Sequence, residues 1–506
     1  MFKSAIILLI CTILSKVLGF VRELAVAYKF GTGAISDAFV TTNRVPTILF
    51  SALSVAISIN FIPVIVGIKN SEEKQDKFTS NLINVFLVLM GIGIILMICF
   101  PDVVLVIFAA GLNQEAHELA VQMLRITAFS VIPIVLSQIF QAYLQTKNRF
   151  ISTGITGVIC NVTVILFTLL ATDGTYQLLS IGTLVSNLIM MFILICELKH
   201  IKFHYRPVLN IYDENLHKLG LLTLPLLLET LTSELNSVVD SNMASRLDSG
   251  TITSLSYANS LVKMAYVMIA TTIITIIFPK FSRYFSEKNF DILRKEFIYY
   301  GDILAVLLLP ISMVMIALSR PLIEFLFLRG AFSTEAVVIT QESMVWYAVG
   351  IFSLGMKSYV IRMFYSFKDT KTPTKYAILA LVINIILNFI FIIPFKHIGL
   401  ALSTSIASTI AYVILLKRLD GILGSSLFKQ TMKNHLRLLA SAAIPGGIVY
   451  YIYVRVLQNW NNLLVLFLLG GIYTAIYFGI LICSKHYLIS DLWDFIKQRG
   501  RKVDKR

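Results

Sequence analysis

Apolar residues in this chain run in long blocks with short polar breaks between them. They show neither the strict alternation of a half-buried strand nor the narrow stripe of a soluble helix. A block of about 20 apolar residues is what a helix needs to cross the hydrocarbon layer. The pattern predicts fourteen spans, near 5–27, 34–66, 78–101, 122–146, 152–171, 178–198, 219–246, 252–279, 298–318, 336–366, 376–394, 398–416, 438–457 and 462–483. The second, eighth and tenth are too long for one straight crossing and are expected to be tilted, kinked or extended beyond the bilayer. Lys3 ahead of the first block imitates a signal peptide. No small-residue cleavage site follows, however, and the apolar run continues through Val17, Leu18, Gly19 and Phe20, so it is read as a retained span.

Composition agrees, since 57% hydrophobic and 14% charged residues exceed what a soluble core of 506 residues would bury. The fold expected is an all-α polytopic membrane protein. Most of the 43 Lys and Arg fall in alternate loops, among them Lys199, Lys202, Arg206, Lys280, Arg283, Lys288, Lys417 and Arg418, while the stretch from Asp102 to Ala120 has none. By the positive-inside rule this puts both termini in the cytoplasm. The net charge of +15 is then mostly that signal plus contact with anionic lipid headgroups, and no nucleic-acid module accompanies it. The five cysteines stand singly, and His200 and His204 have no further ligand cluster, so no metal site is expected. Neither a phosphate-binding loop nor a nucleophile elbow is present, and no enzyme is expected.

Weak internal repetition divides the chain. Asn60-Phe61-Ile62-Pro63 ends span 2 much as Ile277-Phe278-Pro279 ends span 8, and the same shift lays Asn43 on Asn259. Tyr143-Leu144-Gln145-Thr146-Lys147 likewise resembles Tyr365-Ser366-Phe367-Lys368. This predicts two parallel six-helix lobes, 1–200 and 201–425, then two added spans within 426–484 and a basic cytoplasmic tail, 485–506.

Charges inside spans are the candidate chemistry. Lys16, Arg22, Glu23, Asp37 and Arg44 lie in spans 1 and 2, where each cation costs about 2.5–3.5 kcal/mol at a helix centre unless it meets water or a partner. Lys16, Arg22 and Arg44, with Asp37, are candidates for binding an anionic substrate, together with Lys263 in span 8. The bland alternative is an ion pair of Arg22 with Glu23 or Asp37 that holds spans 1 and 2 together, and Arg44 has the further option of snorkelling to an interface. Glu229, Glu234 and Asp240 in span 7 either bind a coupling Na+ or H+ or neutralise cations of the facing half. Lys357, Arg362 and Arg125 read as interface anchors. Gly19, Gly31 and Gly33 are assigned to close helix approach and a tight turn, with Glu23 beside them as a structural residue.

The strings Ser15-Lys16-Val17-Leu18-Gly19-Phe20-Val21-Arg22-Glu23, Phe30-Gly31-Thr32-Gly33 followed by Asp37-Ala38-Phe39, Tyr257-Ala258-Asn259, and Lys371-Thr372-Pro373 followed by Lys396-His397-Ile398-Gly399-Leu400 carry a family resemblance. Through span 12 the chain resembles the MviN/MurJ lipid II flippases of the multidrug/oligosaccharidyl-lipid/polysaccharide exporter superfamily. The resemblance implies a bacterial plasma-membrane transporter. It would move an undecaprenyl-pyrophosphate-linked saccharide between leaflets by alternating access, driven by the membrane potential or by Na+ or H+, with membrane lipids and cell-wall synthesis proteins as partners and spans 13 and 14 as a groove for the lipid tail. The chain departs from the family pattern in two places: Phe50-Ser51 stands where it has a pair of arginines, and Ser260 where span 8 usually has another. A flippase for a different polyprenyl-linked glycan, a cation-coupled drug exporter and a non-transporting scaffold stay open as alternatives.

Overall fold

A computed structural model describes residues 2–68, 72–149, 151–424, 426–488 and 490–491; within them the side chains of 2–9, 51–53, 55, 151–153, 225–226, 228–229 and 233 are outside the description. The chain forms two compact units, one of residues 1–257 with 327–336 and the other of 258–326 with 337–506.

The first unit contains α1 (Phe2–Phe30), α2 (Ala34–Pro46), α3 (Ala52–Gly67), α4 (Glu72–Cys99), α5 (Pro101–Ala109), α6 (Gln114–Thr127), α7 (Val131–Thr146), α8 (Ile151–Leu170), α9 (Gln177–His200), α10 (Glu214–Ala244) and the first turns of α11 (Thr251–Ser286). The long second span is broken, as its length requires, by one wide turn over Thr47–Ser51 between α2 and α3. Pro46 has no N–H to give the carbonyl of Thr42. Thr127 donates its hydroxyl to that carbonyl instead, at 3.3 Å. The core of the unit joins Phe61, Phe78, Leu82, Met90, Leu105, Met123, Leu124 and Val135. α1 packs along α8 on small residues: a Cβ added at Gly157 would meet Ser15 Oγ at 2.5 Å, and Asn161 Nδ2 donates to the carbonyls of Ser15 and Gly157. At Gly19 a Cβ would make only ordinary contact, 3.7 Å from Asn161, so the close approach attributed to Gly19 is imposed by Gly157. The segment after α9 runs extended along α4, tied by Asp76, Ser80, Asn81 and Asn84 to the backbone of His204, Arg206, Val208 and Asn210.

The second unit holds the rest of α11, then α12 (Phe290–Ala317), most of α13 (Ser319–Phe327), α14 (Thr334–Val349), α15 (Ile351–Ser366), α16 (Lys371–Leu423), α17 (Leu427–Ile452) and α18 (Asn462–Cys483). α14 and α15 meet at Gly350 with a bend of 42°. The bend frees carbonyls at the end of α14. Ser405 donates to that of Trp346 at 2.5 Å and Ser312 to that of Ala348 at 2.6 Å, so two serines from neighbouring helices hold the break. α16 contains two crossings, turned at Lys396, whose φ of 47° and ψ of −127° are not helical. α17 and α18 pack on α12 through Leu309, Leu438, Val449, Leu469, Tyr473 and Tyr477. A buried polar knot anchors them there: Asp302 accepts from Asn434 Nδ2 and from Tyr487 Oη, each at 2.6 Å, and His435 Nδ1 meets Tyr412 Oη at 2.9 Å.

Among the described residues, eight helical segments are each long and apolar enough to cross a membrane, and the bent α14–α15 pair makes a ninth. The two halves of α16 count as two crossings, and helices α1, α2–α3, α8 and α10 occupy the other expected spans, so the fourteen-span reading follows the structure helix by helix. The short α5 and α13 were not expected, because stretches of nine residues fall below the length that an apolar-block reading detects.

Candidate functional site

The candidate residues of the first unit divide by where their helices point them. On α1, Ile10, Ile13, Leu14, Val17, Val21 and Tyr28 form an exposed apolar face, while Ser15, Gly19 and Arg22 lie on the face toward α8. Thr12, Lys16 and Glu23, spaced four and seven residues apart, make a polar stripe between those two faces. Lys16 is exposed and Arg22 partly buried, within electrostatic range of Cys160 on α8. Neither cation has an ion-pair or hydrogen-bond partner among the described residues, so the alternative of an Arg22 ion pair with Glu23 or Asp37 is not what the structure contains. Glu23 is partly buried and within electrostatic range of Tyr257.

Asp37 is used differently from the substrate-binding role its charge suggested. It is 3% exposed, and both carboxylate oxygens are committed: Oδ2 accepts from the Gly250 N–H at 2.6 Å, and Oδ1 from the Thr253 N–H at 2.9 Å and the Thr253 hydroxyl at 2.6 Å. Asp37 therefore fastens α2 to the start of α11. Arg44, seven residues on and on the same helical face, donates to Ser256 Oγ at 3.0 Å, one turn further along α11. This contact extends the same junction.

A third strand of contacts closes this end of the unit. The Ala331 N–H donates to the carbonyl of Tyr28 at 2.9 Å. Gly31 has φ 56°, and a Cβ there would stand 2.3 Å from the Ala331 carbonyl oxygen. Gly330, with φ 60°, would put one 2.2 Å from the Tyr28 carbonyl oxygen. Both backbones thus meet only because these residues are glycine. Gly33 differs, with an extended φ of 176° and open space around it, so the turn rests on Gly31 and not on Gly33. Tyr257 stacks on Phe327 at 5.1 Å between ring centroids, and Phe20 and Phe332 flank the pair.

The other candidates are dispersed. Asp240 accepts from Asn236 Nδ2 at 3.3 Å within α10, Glu234 is partly buried, and the side chain of Glu229 lies outside the described ones. Lys263 is exposed on α11 within the second unit. Phe50, the residue in place of a family arginine, sits against Gly93 of α4, where a Cβ would meet its ring at 2.3 Å. It is a packing residue; Ser51 has its side chain outside the description. Sequence reasoning missed Thr253 and Ser256 as partners. The spacing of Asp37, Thr41 and Arg44 along one face of α2 is the signal that points to such a seam.

Comparison with known proteins adds to this geometry. A lipid II flippase MurJ of Thermosipho africanus is 31% identical over 417 residues, 82% of this chain and 84% of that protein. A probable lipid II flippase MurJ of Vibrio cholerae is 29% identical over 462 residues, 88% of each. Among solved structures, a lipid II flippase MurJ in an inward closed conformation superposes with a TM-score of 0.83 at 28% identity, over 96% of this chain and 100% of that one. An inward-facing multidrug transporter of the MATE family shares the fold, with a TM-score of 0.71 at 16% identity over 84% of this chain and 99% of its own. The family described as lipid II flippase MurJ matches residues 26–471, and on that match the chain belongs to the MurJ family.

Proposed function

We propose that this protein carries lipid II, the undecaprenyl-pyrophosphate-linked precursor of peptidoglycan, from the cytoplasmic to the outer leaflet of the bacterial plasma membrane by alternating access. No bond is made or broken in that step; it is transport, not catalysis. The observation that carries the reading, beside family membership, is that Lys16 and Arg22 stand within a membrane span with no protein ion-pair or hydrogen-bond partner among the described residues. A pyrophosphate supplies what they lack, because charge-assisted hydrogen bonds to phosphate oxygens are short and strong and Arg grips two oxygens at once. Asp240 and Glu234 are the residues of α10 proposed to take a coupling Na+ or H+. A drug exporter of cationic substrates would be repelled by the same cations.

Growth rescue tests the substrate. In a bacterium depleted of its own lipid II flippase, the wild-type chain is expected to sustain growth, and Lys263→Ala to cripple it, since Ser260 leaves Lys263 as the cation nearest in sequence to the family's arginine position on α11. Failure to rescue despite good membrane expression, with loss of a capsule or another surface glycan on deletion in the native host, would move the assignment to a different polyprenyl-linked glycan. That second reading is favoured by one specific feature, the packing residue Phe50 where the family has an arginine.

Sidedness is tested separately. With the native cysteines removed, a membrane-impermeant thiol reagent applied to intact cells is expected to label Asn113→Cys and Asp173→Cys and to spare Asn148→Cys and Lys288→Cys. Labelling of Lys288→Cys from outside would overturn the fourteen-span model.

A further inference from the structure

α15 has two unlike faces. Ile351, Gly355, Met356, Tyr359, Val360 and Met363 are buried, in an element that packs against α12 and α16. The opposite arc, about 140° wide at 100° per residue, is less covered: Arg362 is exposed on it and the others are partly buried. It carries Lys357, Ser358, Arg362 and Tyr365 along with two aliphatic residues. A lipid-facing helix surface in this same unit looks quite different: the exposed residues of the first half of α16 include Ile378, Val382, Ile386, Phe389, Ile390 and Ile393. The half-buried arc of α15, with two cations, a serine and a tyrosine, therefore suits a polar ligand better than acyl chains.

Within that arc the two cations are not equivalent. Arg362 lies 5.6 Å from the ring of Tyr365, one turn on, and so has an aromatic face to rest against. Lys357 has no hydrogen-bond, ion-pair or ring partner among the described residues. It stands nine residues from the end of α15, about 14 Å along the axis at 1.5 Å per residue and inside the expected span 336–366. The bend at Gly350, held by Ser312 and Ser405, fixes the direction in which α15 presents this arc. The unit also lacks the span-8 arginine of the family, having Ser260 there.

We propose that Lys357 is an anion-binding residue of the second unit that contacts the pyrophosphate of the transported lipid, supplying charge that the family elsewhere draws from position 260. The proposal rests on the flippase reading and names a substrate contact made by the second unit. An ammonium within a span and with no carboxylate beside it among the described residues is stabilised most by a multiply charged oxyanion, and a pyrophosphate offers one that a neutral sugar or an acyl chain does not.

The test measures binding of undecaprenyl pyrophosphate, undecaprenyl monophosphate and undecaprenol to the purified full-length protein in nanodiscs, with thermal unfolding as the check on folding. Wild type is expected to prefer the pyrophosphate. Lys357→Met and Lys357→Gln are expected to weaken pyrophosphate binding at least tenfold and leave undecaprenol binding unchanged, while Lys357→Arg stays within threefold of wild type. Equal pyrophosphate binding by Lys357→Met and wild type overturns the proposal and leaves the flippase reading standing. Unfolding of both neutral variants also overturns it, because Lys357 is then a structural residue. A wild type that does not distinguish pyrophosphate from undecaprenol sinks the flippase reading itself.

Discussion

Asp37→Ala is expected to loosen the junction of α2 with α11 and to lower transport at least tenfold. The substitution removes the acceptor of two buried backbone N–H groups, those of Gly250 and Thr253, and of the Thr253 hydroxyl. A buried donor left without an acceptor costs about 1–3 kcal/mol. The loss therefore falls on the conformation described here, in which the α1–α2 turn, the α10–α11 turn and the Gly330–Ala331 loop meet at one end of the first unit. Asp37→Asn is not expected to restore it: the amide keeps one acceptor for Thr253 but turns an NH2 donor toward the Gly250 N–H, or the reverse. Thiol accessibility gives the readout. Ser254→Cys replaces a fully buried side chain beside the junction. An impermeant maleimide is expected to leave it unmodified in the wild-type background and to label it when Asp37→Ala is added. Continued protection together with normal transport would show that Asp37 does not fasten this end.

Much of the architecture was readable because a membrane span needs only length and apolarity, both local properties. The wide turn at Thr47–Ser51 and the bend at Gly350 lie within two of the runs too long to cross straight. What was not readable depends on pairs distant in the chain. Asp37 finds its partners 213 and 216 residues away, so its carboxylate looked like one more member of a charged cluster. Arg44 likewise meets Ser256, 212 residues away. Glycine shows the same limit: Gly19, Gly31 and Gly33 look alike in sequence, yet only Gly31 faces a backbone so close that no Cβ fits, and that backbone belongs to Ala331.

Lys16→Ala and Arg22→Ala, made separately, are each expected to abolish flipping, with a loss of at least a hundredfold, while leaving protein abundance near normal. The two halves of that expectation have different causes. Abundance should hold because removing one member of a buried ion pair leaves the other charge stranded, at about 3–5 kcal/mol, and neither cation has such a partner among the described residues. Removal of the charge also relieves the cost of keeping a cation within a membrane span. Transport should fail because an anionic head group passing through a low-dielectric interior depends on compensating charge at each stage, and Phe50 and Ser260 leave this chain with fewer such charges than its family pattern provides. Lys16→Arg and Arg22→Lys separate charge from geometry. Lys16→Arg should retain most activity at an exposed position with room for a larger head. Arg22→Lys should not, because a point ammonium lacks the two-pronged geometry of guanidinium. The measurement is leaflet exposure of lipid II in reconstituted vesicles, scored against membrane abundance of each variant. Disappearance of both alanine variants from the membrane would return these residues to a structural role.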